Sequence, residues 1–560
     1  MHDYVQAVEL TAFGPDFPFP YDSWLAHPAG LGRVPADAHG TPVAIVGAGV
    51  AGLVAAHELM ALGLRPVVYE AGRIGGRLRS EPFAAAPDVV AELGGMRFPI
   101  SSAALYHYIG RCDLETRDFP NPLTPFAPTT VIDLEGVGHF AHTIDDLPPL
   151  FREVADAWDT ALEAEAQLAE IQDAMRRRDA AAVKALWNPL VNRWDDRTFY
   201  DFVATSDAFA RLSFRHREVF GQVGFGTGGW DSDFPNSMLE ILRVVMAGFE
   251  TAQRYIVGGA ERLPRRLWTL PAGDPTHWPA GTSLAALHHG VPRPGVARIA
   301  RHPDGDLVVT DRWGRADCFA AVLVTTQSWL LTTSIAVDEG LLSHKVWMAL
   351  DRTCYTQSSK TFVMVDRPFW HDVDPATGRP VMSMTLTDRN TRGTYLLDNG
   401  PDRPAVILLS YAWQSDAQKM LPLSARQRAE LALATLDQIY PRADIRSHVL
   451  GDPITVSWES DPNFQGAFKG ALPGHYRYNH RMYGHFFGQE ALPPHHRGLF
   501  LAGDDVSWTP GWAEGAVQTA LNAVWGVVHH LGGASAADNP GPGELYPEWG
   551  PVALPDQQAE

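Results

Sequence analysis

A glycine-rich turn between an apolar segment and a helical one constrains the fold of this chain more than any other feature of its sequence. Residues 47–52 read Gly-Ala-Gly-Val-Ala-Gly, and the apolar run Val43–Gly47 leads into them. Downstream, the spacing of apolar residues predicts a helix near Ala51–Leu62 and a second strand over Pro66–Glu70. The chain is therefore predicted to contain a β-α-β unit whose first turn is built from glycine.

The three glycines of this turn and the acidic residue that ends the second strand have the spacing of a dinucleotide site. Gly47 permits the tight turn, Gly49 lets the backbone approach a pyrophosphate, and Gly52 lets the helix pack closely on the strand. The helix N-terminus then faces the phosphates, and Glu70 is placed to accept from both ribose hydroxyls. The alternative is a glycine-rich turn in an unrelated α/β protein.

Two further segments favour FAD over NAD, which shares this pattern. Ala71–Arg77 contains a second pair of glycines with arginines, so another loop can close over the pyrophosphate. Far downstream, Leu499–Asp504 predicts a strand that ends in Gly-Asp, and Gly511–Ala516 predicts the start of a helix. Asp504 is then placed to hold a ribitol hydroxyl, and the helix N-terminus stabilises charge on a reduced flavin. A ligand held by both ends of a long chain indicates FAD, whereas the alternative role for Asp504 is a helix cap.

Composition argues against several classes of protein. The chain has 560 residues, which predicts two or three domains, and its formal net charge of −20 disfavours nucleic acid as a partner. The three cysteines, Cys112, Cys318 and Cys354, are too sparse for a disulfide framework and lack metal-type spacing, so each is predicted to be a small buried residue. With neither a signal peptide nor a long apolar run, we expect a cytoplasmic protein without a membrane span or a metal site.

The remaining segments alternate between helix and strand. Apolar residues recur at three- and four-residue spacing from Phe151 to Leu162, which predicts an amphipathic helical region over residues 145–217. Further helices are predicted near Ser237–Met246, Ala425–Ile439 and Gly515–His530, and strands near Gly295–Arg301, Leu307–Thr310, Ala320–Thr325 and Gly498–Gly503. Residues 1–40, rich in Pro, Gly and aromatics, are predicted to wrap over the surface, and residues 533–560 to form a loosely held tail.

Taken in order, these motifs resemble those of the flavin amine oxidases, and the resemblance runs from Gly47 to about Ala523. It is sharper toward the bacterial L-amino-acid monooxygenase branch, which includes tryptophan, phenylalanine and lysine 2-monooxygenases. Three stretches carry this narrower likeness: Phe17–Asp22 (FPFPYD), Gly94–Pro99 (GGMRFP) and Gly226–Pro235 (GTGGWDSDFP). The last stretch is most similar to the lysine 2-monooxygenase type.

The resemblance implies a mixed α/β fold. A glutathione-reductase-like FAD-binding domain of the Rossmann type is interleaved with a mixed-sheet substrate domain and a helical insertion. It also implies one tightly bound FAD and O2 as the second substrate, and we expect a homo-oligomer, a dimer or larger. The predicted boundaries are residues 1–40 for an N-terminal extension, 41–100, 250–325 and 490–530 for the FAD domain, 101–144, 220–249 and 326–489 for the substrate domain, 145–219 for the helical insertion and 531–560 for the tail.

Residues from both ends of the chain are predicted to contact the cofactor. They comprise the two glycine turns, the acidic residues after the strands, the Gly-Gly-Met-Arg segment and the start of the last long helix. In full they are Gly47, Gly49, Gly52, Glu70, Ala71, Arg77, Gly95, Met96, Arg97, Val296, Gly503, Asp504, Trp512 and Ala513.

Four positions match residues that the resembled family uses in its chemistry. Arg97 follows a Gly-Gly turn in an apolar stretch and is predicted to bind the substrate α-carboxylate through two hydrogen bonds; the alternative is a structural arginine bonded to loop carbonyls. Lys360 matches a lysine near flavin N5 whose ammonium favours reaction with O2; the alternative is a solvated lysine. Trp458 and Trp512 lie inside matching motifs and are predicted in the active site, with ordinary core packing as the alternative.

The substrate side chain is predicted to lie among aromatic and acidic residues. Tyr411 and Trp413 are predicted walls of an aromatic cage, with core packing as the alternative, and Phe249 is expected to shape the pocket. Asp231 and Asp233 offer an anion for a lysine or arginine side chain, and Asp233 is preferred; the alternative is charge or capping at a helix N-terminus.

Glu250 could serve as a second anion for a longer guanidinium side chain. The resemblance implies an FAD-dependent L-amino-acid 2-monooxygenase, which converts its substrate with O2 to an amide one carbon shorter, CO2 and water, and the acidic residues favour lysine or arginine as that substrate. The alternative is an L-amino-acid oxidase that releases a 2-oxo acid, ammonia and hydrogen peroxide, with an aromatic amino acid as one candidate substrate. A third alternative is a flavoprotein without catalytic activity.

Overall fold

A parallel sheet with the glycine turn at its centre joins distant parts of the chain. This computed structural model describes Leu10 and residues 14–127, 129–223, 235–250, 252–272 and 277–558. Pro42–Val46 pairs in parallel with Arg65–Glu70 on one side and with Ala321–Val324 on the other. Within these ranges, Arg293–Pro294 and Leu499–Leu501 complete the five-stranded sheet at its two edges. The inner strands are buried runs of Val, Ile and Leu, as a sheet covered on both faces requires.

A larger, mostly antiparallel sheet forms the second layer of the fold. In spatial order its seven described strands are Val449–Ser457, Ser358–Val365, Ala405–Trp413, Gly393–Leu397, Met384–Thr387, Thr130–Leu134 and Val137–Ala141. Smaller sheets are formed by Ala316–Phe319, Leu307–Asp311, Val296–Arg301 and Ala336–Val337; by Phe98–Pro99, Gln253–Ile256 and Thr116–Asp118; by Cys354–Thr356 with Phe468–Gly470; and by Ser80–Phe83 with Ala86–Glu92. Parallel and mixed sheets together confirm the predicted α/β class, whereas the predicted domain boundaries stay a prediction.

Helices cover the sheets, and two of them are buried almost all round. Val50–Ala61 follows the glycine turn and packs against Ala513–His530, which brings the two ends of the chain together. The predicted helical region contains Pro149–Ala166, Leu168–Arg176, Ala180–Trp194, Phe199–Thr205, Asp207–Ala210 and Phe214–Val223. The other helices are Tyr21–Ala26, Ala103–Arg111, Met238–Met246, Arg262–Thr269, Leu284–Leu287, Ser328–Thr333, His344–Asp351, Gln414–Met420, Ala425–Ile439, Ile445–His448, Tyr476–Tyr483, Pro542–Trp549 and Pro555–Gln558.

The amino-terminal segment contributes to the core, which corrects the prediction that it only wraps over the surface. Phe17, Phe19 and Trp24 are buried, and Tyr21 donates a hydrogen bond of 2.7 Å to Asn522 in the last long helix. The prolines and glycines favour irregular backbone, but the aromatic side chains between them bury enough apolar surface to fix the segment in place.

The carboxyl-terminal segment is packed rather than loosely held, which corrects a second prediction. Pro542–Trp549 is a helix, and Asn539 donates hydrogen bonds to two backbone carbonyls of the amino-terminal segment. Trp525 donates from Nε1 to Glu544 over 2.8 Å. The Pro- and Gly-rich composition therefore marks tight turns against a neighbouring helix and not disorder.

Cysteine burial and membrane span were also predicted from composition. Cys112 is buried, but Cys318 is exposed on the solvent side of its strand and Cys354 is half-buried, so the predicted burial is wrong for these two. In the part of the chain that the structure describes, no helix combines the length and the apolar character needed to cross a membrane.

Candidate active site

One cavity of about 810 Å³ is lined by both ends of the chain and by the larger sheet. Its residues come from the glycine turn, the 94–98 segment, the strands that carry Lys360 and Tyr411, and the start of helix Ala513–His530. The cavity continues to the helices Pro149–Ala166 and Leu168–Arg176, where the exposed Asp159 is part of its wall. Of the described residues predicted for the site, all line this cavity except Gly52 and Phe249: Gly47, Gly49, Glu70, Ala71, Arg77, Gly95, Met96, Arg97, Val296, Lys360, Tyr411, Trp413, Trp458, Gly503, Asp504, Trp512 and Ala513.

The glycine turn leaves room on its cavity side and none on its packed side. Gly47 has a φ of +108°, which favours glycine. A Cβ at Gly52 would lie 2.0 Å from the Gly47 carbonyl oxygen, so the helix can sit this close only without a side chain. At Gly49 the nearest atom to a Cβ would be Gly76 Cα at 4.0 Å, which leaves an open backbone surface at the cavity. This geometry fits a pyrophosphate at the helix N-terminus.

Glu70 holds two loops together at the end of its strand. Its Oε2 accepts from the Ala48 backbone N–H at 2.8 Å and its Oε1 from Gly72 at 2.7 Å. Burial raises the pKa of Glu70, and these backbone hydrogen bonds oppose the rise. Each oxygen of the Glu70 carboxylate still has a second lone pair that can accept from a ribose hydroxyl.

Arg77 and Asp504 join the two ends of the chain across the cavity. Arg77 Nη1 donates to Asp504 Oδ2 at 3.1 Å, and its second nitrogen pairs with Oδ1. Asp504 Oδ2 also accepts from the Gly511 backbone N–H at 3.1 Å. Asp504 is therefore not the N-cap of the last long helix, which begins at Ala513 with Trp512 before it.

Close backbone packing explains the Gly-Gly pair that precedes Arg97. The Gly95 N–H donates to the Arg77 carbonyl at 3.0 Å, and a Cβ at Gly94 would lie 1.6 Å from the same oxygen. Trp458 donates from Nε1 to the Leu93 carbonyl at 3.1 Å, which fixes the segment from the other side. The cofactor loop and the predicted substrate arginine are thus held by one piece of backbone.

Arg97 is a buried cation with neutral partners. Arg97 is only 9% exposed. Its Nη1 donates to Asn121 Oδ1 at 2.6 Å and to the Tyr395 hydroxyl at 3.3 Å. The guanidinium carbon lies 5.7 Å from the centre of the Phe119 ring and 5.6 Å from that of Tyr395. Neither of these hydrogen-bond partners is an anion, and Glu250 acts on the guanidinium through its charge, so Arg97 can still donate to the carboxylate of a ligand.

Lys360 lies on strand Ser358–Val365 beside Arg97's segment. Its Nζ donates to the backbone carbonyls of Glu92 at 3.1 Å and Gly94 at 2.6 Å, and it lies 4.9 Å from the centre of the Tyr411 ring. Burial lowers the pKa of Lys360 to about 7, with the Glu92 charge opposing and the Arg97 charge adding to the shift. Near neutral pH this amine can therefore exist in either protonation state, and it is not the solvated lysine of the alternative prediction.

Aromatic rings form two walls of the cavity. The Tyr411 and Trp413 ring centres are 5.5 Å apart, and Trp413 meets Phe468 at 5.3 Å. Phe249 does not line the cavity itself but packs edge-on against Trp512 at 5.1 Å, so it acts on the cavity through that ring.

The acidic pair Asp231 and Asp233 lies outside the described residues. The helix that follows them begins at Met238, and the Ser237 hydroxyl, not a carboxylate, accepts from the Leu239 N–H as its cap. The N-cap position of this helix is therefore filled by Ser237, which weakens the capping alternative for the two acids.

Several residues of the site were not predicted. Asn121 and Tyr395 hold Arg97, but each comes from a different segment without a local pattern. Thr325 donates to the carbonyls of Val46 and Gly47 from a neighbouring strand. Its position at the carboxyl end of a parallel strand was the available signal, since ligands bind at that edge of α/β sheets.

Comparisons with known proteins agree with this geometry. The family profile described as flavin containing amine oxidoreductase matches residues 50–528. Tryptophan 2-monooxygenase from Pseudomonas savastanoi is 33% identical over 94% of this chain and 96% of its own. L-amino-acid oxidase from Mus musculus is 25% identical over 88% of this chain and 71% of its own. Among solved structures, cyclohexylamine oxidase from Brevibacterium oxydans IH-35A has a TM-score of 0.64 at 18% identity and covers 88% of this chain and 99% of that one, which shows a shared fold.

These matches confirm FAD as the cofactor and a flavin-dependent amino-acid oxidase or 2-monooxygenase as the enzyme class. The 2-monooxygenase branch predicted from the motifs is supported at this level, whereas the likeness to the lysine type stays a prediction. With most of its length matched, the chain belongs to the family of flavin-containing amine oxidoreductases.

Proposed function

We propose that this enzyme oxidises the Cα–N bond of an L-amino acid and, with O2, converts it to an amide one carbon shorter, CO2 and water. The observation that carries the proposal is the buried Arg97, without a carboxylate partner among the described residues, in the same cavity as the dinucleotide turn. A free amino acid brings a carboxylate that can accept hydrogen bonds from Arg97.

Residues from both ends of the chain would hold FAD. The open backbone at Gly49 and the N-terminus of helix Val50–Ala61 suit the pyrophosphate, and Glu70 suits the ribose. Arg77 and Asp504 would contact the opposite part of the molecule. When bound, FAD supplies the two-electron acceptor: the substrate Cα–H leaves as a hydride, and O2 is reduced afterwards.

The chain's own residues orient the substrate. Arg97 binds the α-carboxylate, and a charge-assisted hydrogen bond of this kind contributes about 1.5–3 kcal/mol. Tyr411, Trp413 and Trp512 exclude water and restrict how the substrate can lie. Lys360 holds a proton on Nζ below a pH of about 7 and places positive charge where O2 gains electrons.

Confinement decides between the two possible sets of products. If the imino acid and hydrogen peroxide stay together in the cavity, peroxide attacks C2, CO2 leaves and an amide forms. If the imino acid escapes, water hydrolyses it to a 2-oxo acid and ammonia. We favour the monooxygenase outcome because tryptophan 2-monooxygenase from Pseudomonas savastanoi is similar to this chain over nearly the full length of both proteins.

For the side chain we propose a basic amino acid, lysine or arginine. The proposal rests on the acids Asp231 and Asp233 of the sequence, of which Asp233 is the preferred partner for a cationic side chain. The alternative is an aromatic substrate, which the rings of Tyr411 and Trp413 and the tryptophan 2-monooxygenases among the relatives favour.

Anaerobic mixing with a panel of L-amino acids tests both the proposed oxidation of an amino acid and the proposed preference for a basic side chain. Loss of visible flavin absorbance identifies a substrate, and we expect rapid loss with lysine or arginine. The matched control is the decarboxylated amine of each substrate, which should react poorly because Arg97 has no carboxylate to bind. Bleaching by phenylalanine or tryptophan alone would contradict the basic preference.

Product analysis in the presence of O2 then separates the two outcomes. An amide with one equivalent of CO2 is expected. A 2-oxo acid with ammonia and hydrogen peroxide would replace the monooxygenase assignment by the oxidase.

A further inference from the structure

Glu250 is a carboxylate on the cavity wall. It follows helix Met238–Met246 and precedes strand Gln253–Ile256, next to Phe249 and its partner Trp512. Its side chain is half-buried and lines the cavity, while Oε2 is shielded from solvent and has no hydrogen-bond partner in the described structure.

The other inward-facing carboxylates of the cavity wall are occupied. Glu70 accepts from two backbone N–H groups, and Asp504 accepts from Arg77 and Gly511. Glu240 accepts from Asn236 at 2.9 Å and from the backbone of Ala471. Glu250 differs from all three because its shielded Oε2 accepts no hydrogen bond, and a desolvated carboxylate oxygen without one is costly unless a ligand supplies a cation or a proton.

The charges around Glu250 match an amino acid at both ends. Arg97, Tyr411 and Glu250 line the same cavity, and Arg97 and Glu250 are close enough for the charge of each to shift the pKa of the other. The Lys360 Nζ lies 4.9 Å from the centre of the Tyr411 ring. A zwitterion brings a carboxylate for Arg97, and its ammonium is only two bonds from the carboxylate carbon. The anion that interacts with Arg97 is therefore within the neighbourhood of the α-nitrogen, whereas the end of a lysine or arginine side chain lies several bonds further away.

Protonation adds a second reason. Burial raises the pKa of Glu250 to about 7, against the opposing effect of Arg97. A proton acceptor works best when its pKa lies near the working pH, because it is then both available as a base and strong enough to take the proton.

We propose that Glu250 accepts the proton that the substrate α-ammonium must lose before its Cα–N bond is oxidised. An N–H bond breaks, an O–H bond forms on the Glu250 carboxylate, and the electron pair remains on nitrogen, so the amine becomes neutral. The proton leaves to solvent after product release, and no oxidant or reductant takes part in this step. The inference rests on the proposed function, since it needs an L-amino acid in this cavity.

The experiment is anaerobic flavin reduction at saturating substrate across pH, in the holoenzyme and in Glu250→Gln. In the wild type we expect the rate to rise with pH through about 7, as the carboxylate form becomes populated. Glu250→Gln keeps the shape but cannot take a proton, so the rate at pH 7 should fall about 100-fold. The rate of the variant should recover as pH rises toward the pKa of the free amino group, because the neutral amine then binds directly.

A second variant and a substrate comparison keep the test decisive. Glu250→Asp retains a carboxylate, so we expect partial rescue with the pH dependence preserved, even if the Gln variant loses FAD. A rate within threefold of wild type at every pH in Glu250→Gln would overturn the inference. So would a loss confined to lysine and arginine with leucine unaffected, which would assign Glu250 to the side chain instead.

Failure of the inference and failure of the proposed function look different. If wild-type flavin is reduced by amino acids but Glu250→Gln behaves identically, only the role of Glu250 is wrong. If no L-amino acid reduces the wild-type flavin, the proposed function is wrong and the inference falls with it.

Discussion

The cofactor end of the cavity, where we propose that FAD binds, and the substrate end, where we propose that the amino acid binds, are built by different means. At the cofactor end, glycines bring backbone to the surface: Gly47 has positive φ, Gly49 is open to the cavity and Gly52 has no room for a Cβ. At the substrate end, Arg97 and Glu250 present side-chain charges that were brought together from separate strands and turns.

A site made of backbone tolerates few sequences and leaves a short local pattern. A site made of side chains depends on where distant segments meet, so its residues can change without any local pattern changing. For this enzyme, cofactor binding should fail as a whole when the backbone is altered. Substrate handling should fail in separate steps when single side chains are altered.

The largest effect is expected from Gly52→Ala. The new Cβ would lie 2.0 Å from the Gly47 carbonyl oxygen, so helix Val50–Ala61 must move away from the turn. We expect purified protein with little or no FAD, measured as the ratio of visible to protein absorbance. Gly110→Ala is the matched control, since nothing lies within 4 Å of a Cβ there and alanine is the better helix former by about 1 kcal/mol. Normal FAD content in Gly52→Ala would break the contrast between the two ends.

Arg97→Lys is expected to separate substrate binding from cofactor binding. A lysine cannot present two parallel donors to a carboxylate, and the loss of about 3 kcal/mol corresponds to a fall of about 100-fold in kcat/KM for flavin reduction. FAD content should stay within twofold of wild type. Arg403→Lys, an exposed position paired with Asp88, controls for the exchange itself. Equal loss of FAD and activity would show that Arg97 belongs to the cofactor end instead.

Lys360→Met is expected to slow the reaction of reduced enzyme with O2 about tenfold while leaving anaerobic reduction by substrate nearly unchanged. The sign of the pH dependence follows from the pKa of about 7: the ammonium is present below that pH and is lost as pH rises through it. The wild-type rate with O2 should therefore decrease from pH 6 to pH 8, and the variant should show no such step. Stopped-flow mixing of reduced enzyme with oxygenated buffer measures both, with Lys419→Met, at an exposed site, as control.

The smallest effect is expected from Glu544→Gln, which tests how much the carboxyl-terminal segment stabilises helix Ala513–His530. Hydrogen bonds from Trp525 and from the Gly541 N–H end on this carboxylate, so its loss should cost about 1 kcal/mol in the free energy of unfolding. Its hydrogen bonds, with His529 first, lower the pKa of Glu544 to about 2 despite burial. The stabilisation by the Glu544 carboxylate is present above the ordinary pKa of 4.5 and is lost as pH falls toward 2. The difference in Tm between wild type and Glu544→Gln should therefore become smaller in acid. An unchanged Tm at pH 7 would contradict this packing role.

Sequence reasoning succeeded where local chemistry dictates the backbone. The strand before the Gly47–Gly52 turn, the helix after it and the last strand before Gly503-Asp504 each occur near their predicted positions. It failed for residues 533–558, because Pro and Gly are common both in disordered tails and in tightly packed turns. Here the segment packs against Trp525, a tertiary contact that composition does not reveal. It could not find Asn121 or Tyr395, since their roles come entirely from the tertiary contact with Arg97.

The helices Pro149–Ala166 and Leu168–Arg176 complete the cavity on the side away from the glycine turn. They contribute no residue to the turn, to the Arg77–Asp504 pair or to the Gly94–Gly95 contact. Substitutions in these two helices could therefore change which molecules enter the cavity while the residues proposed to bind FAD stay the same. Such a division would let related enzymes accept different amino acids while the residues at the cofactor end stay the same.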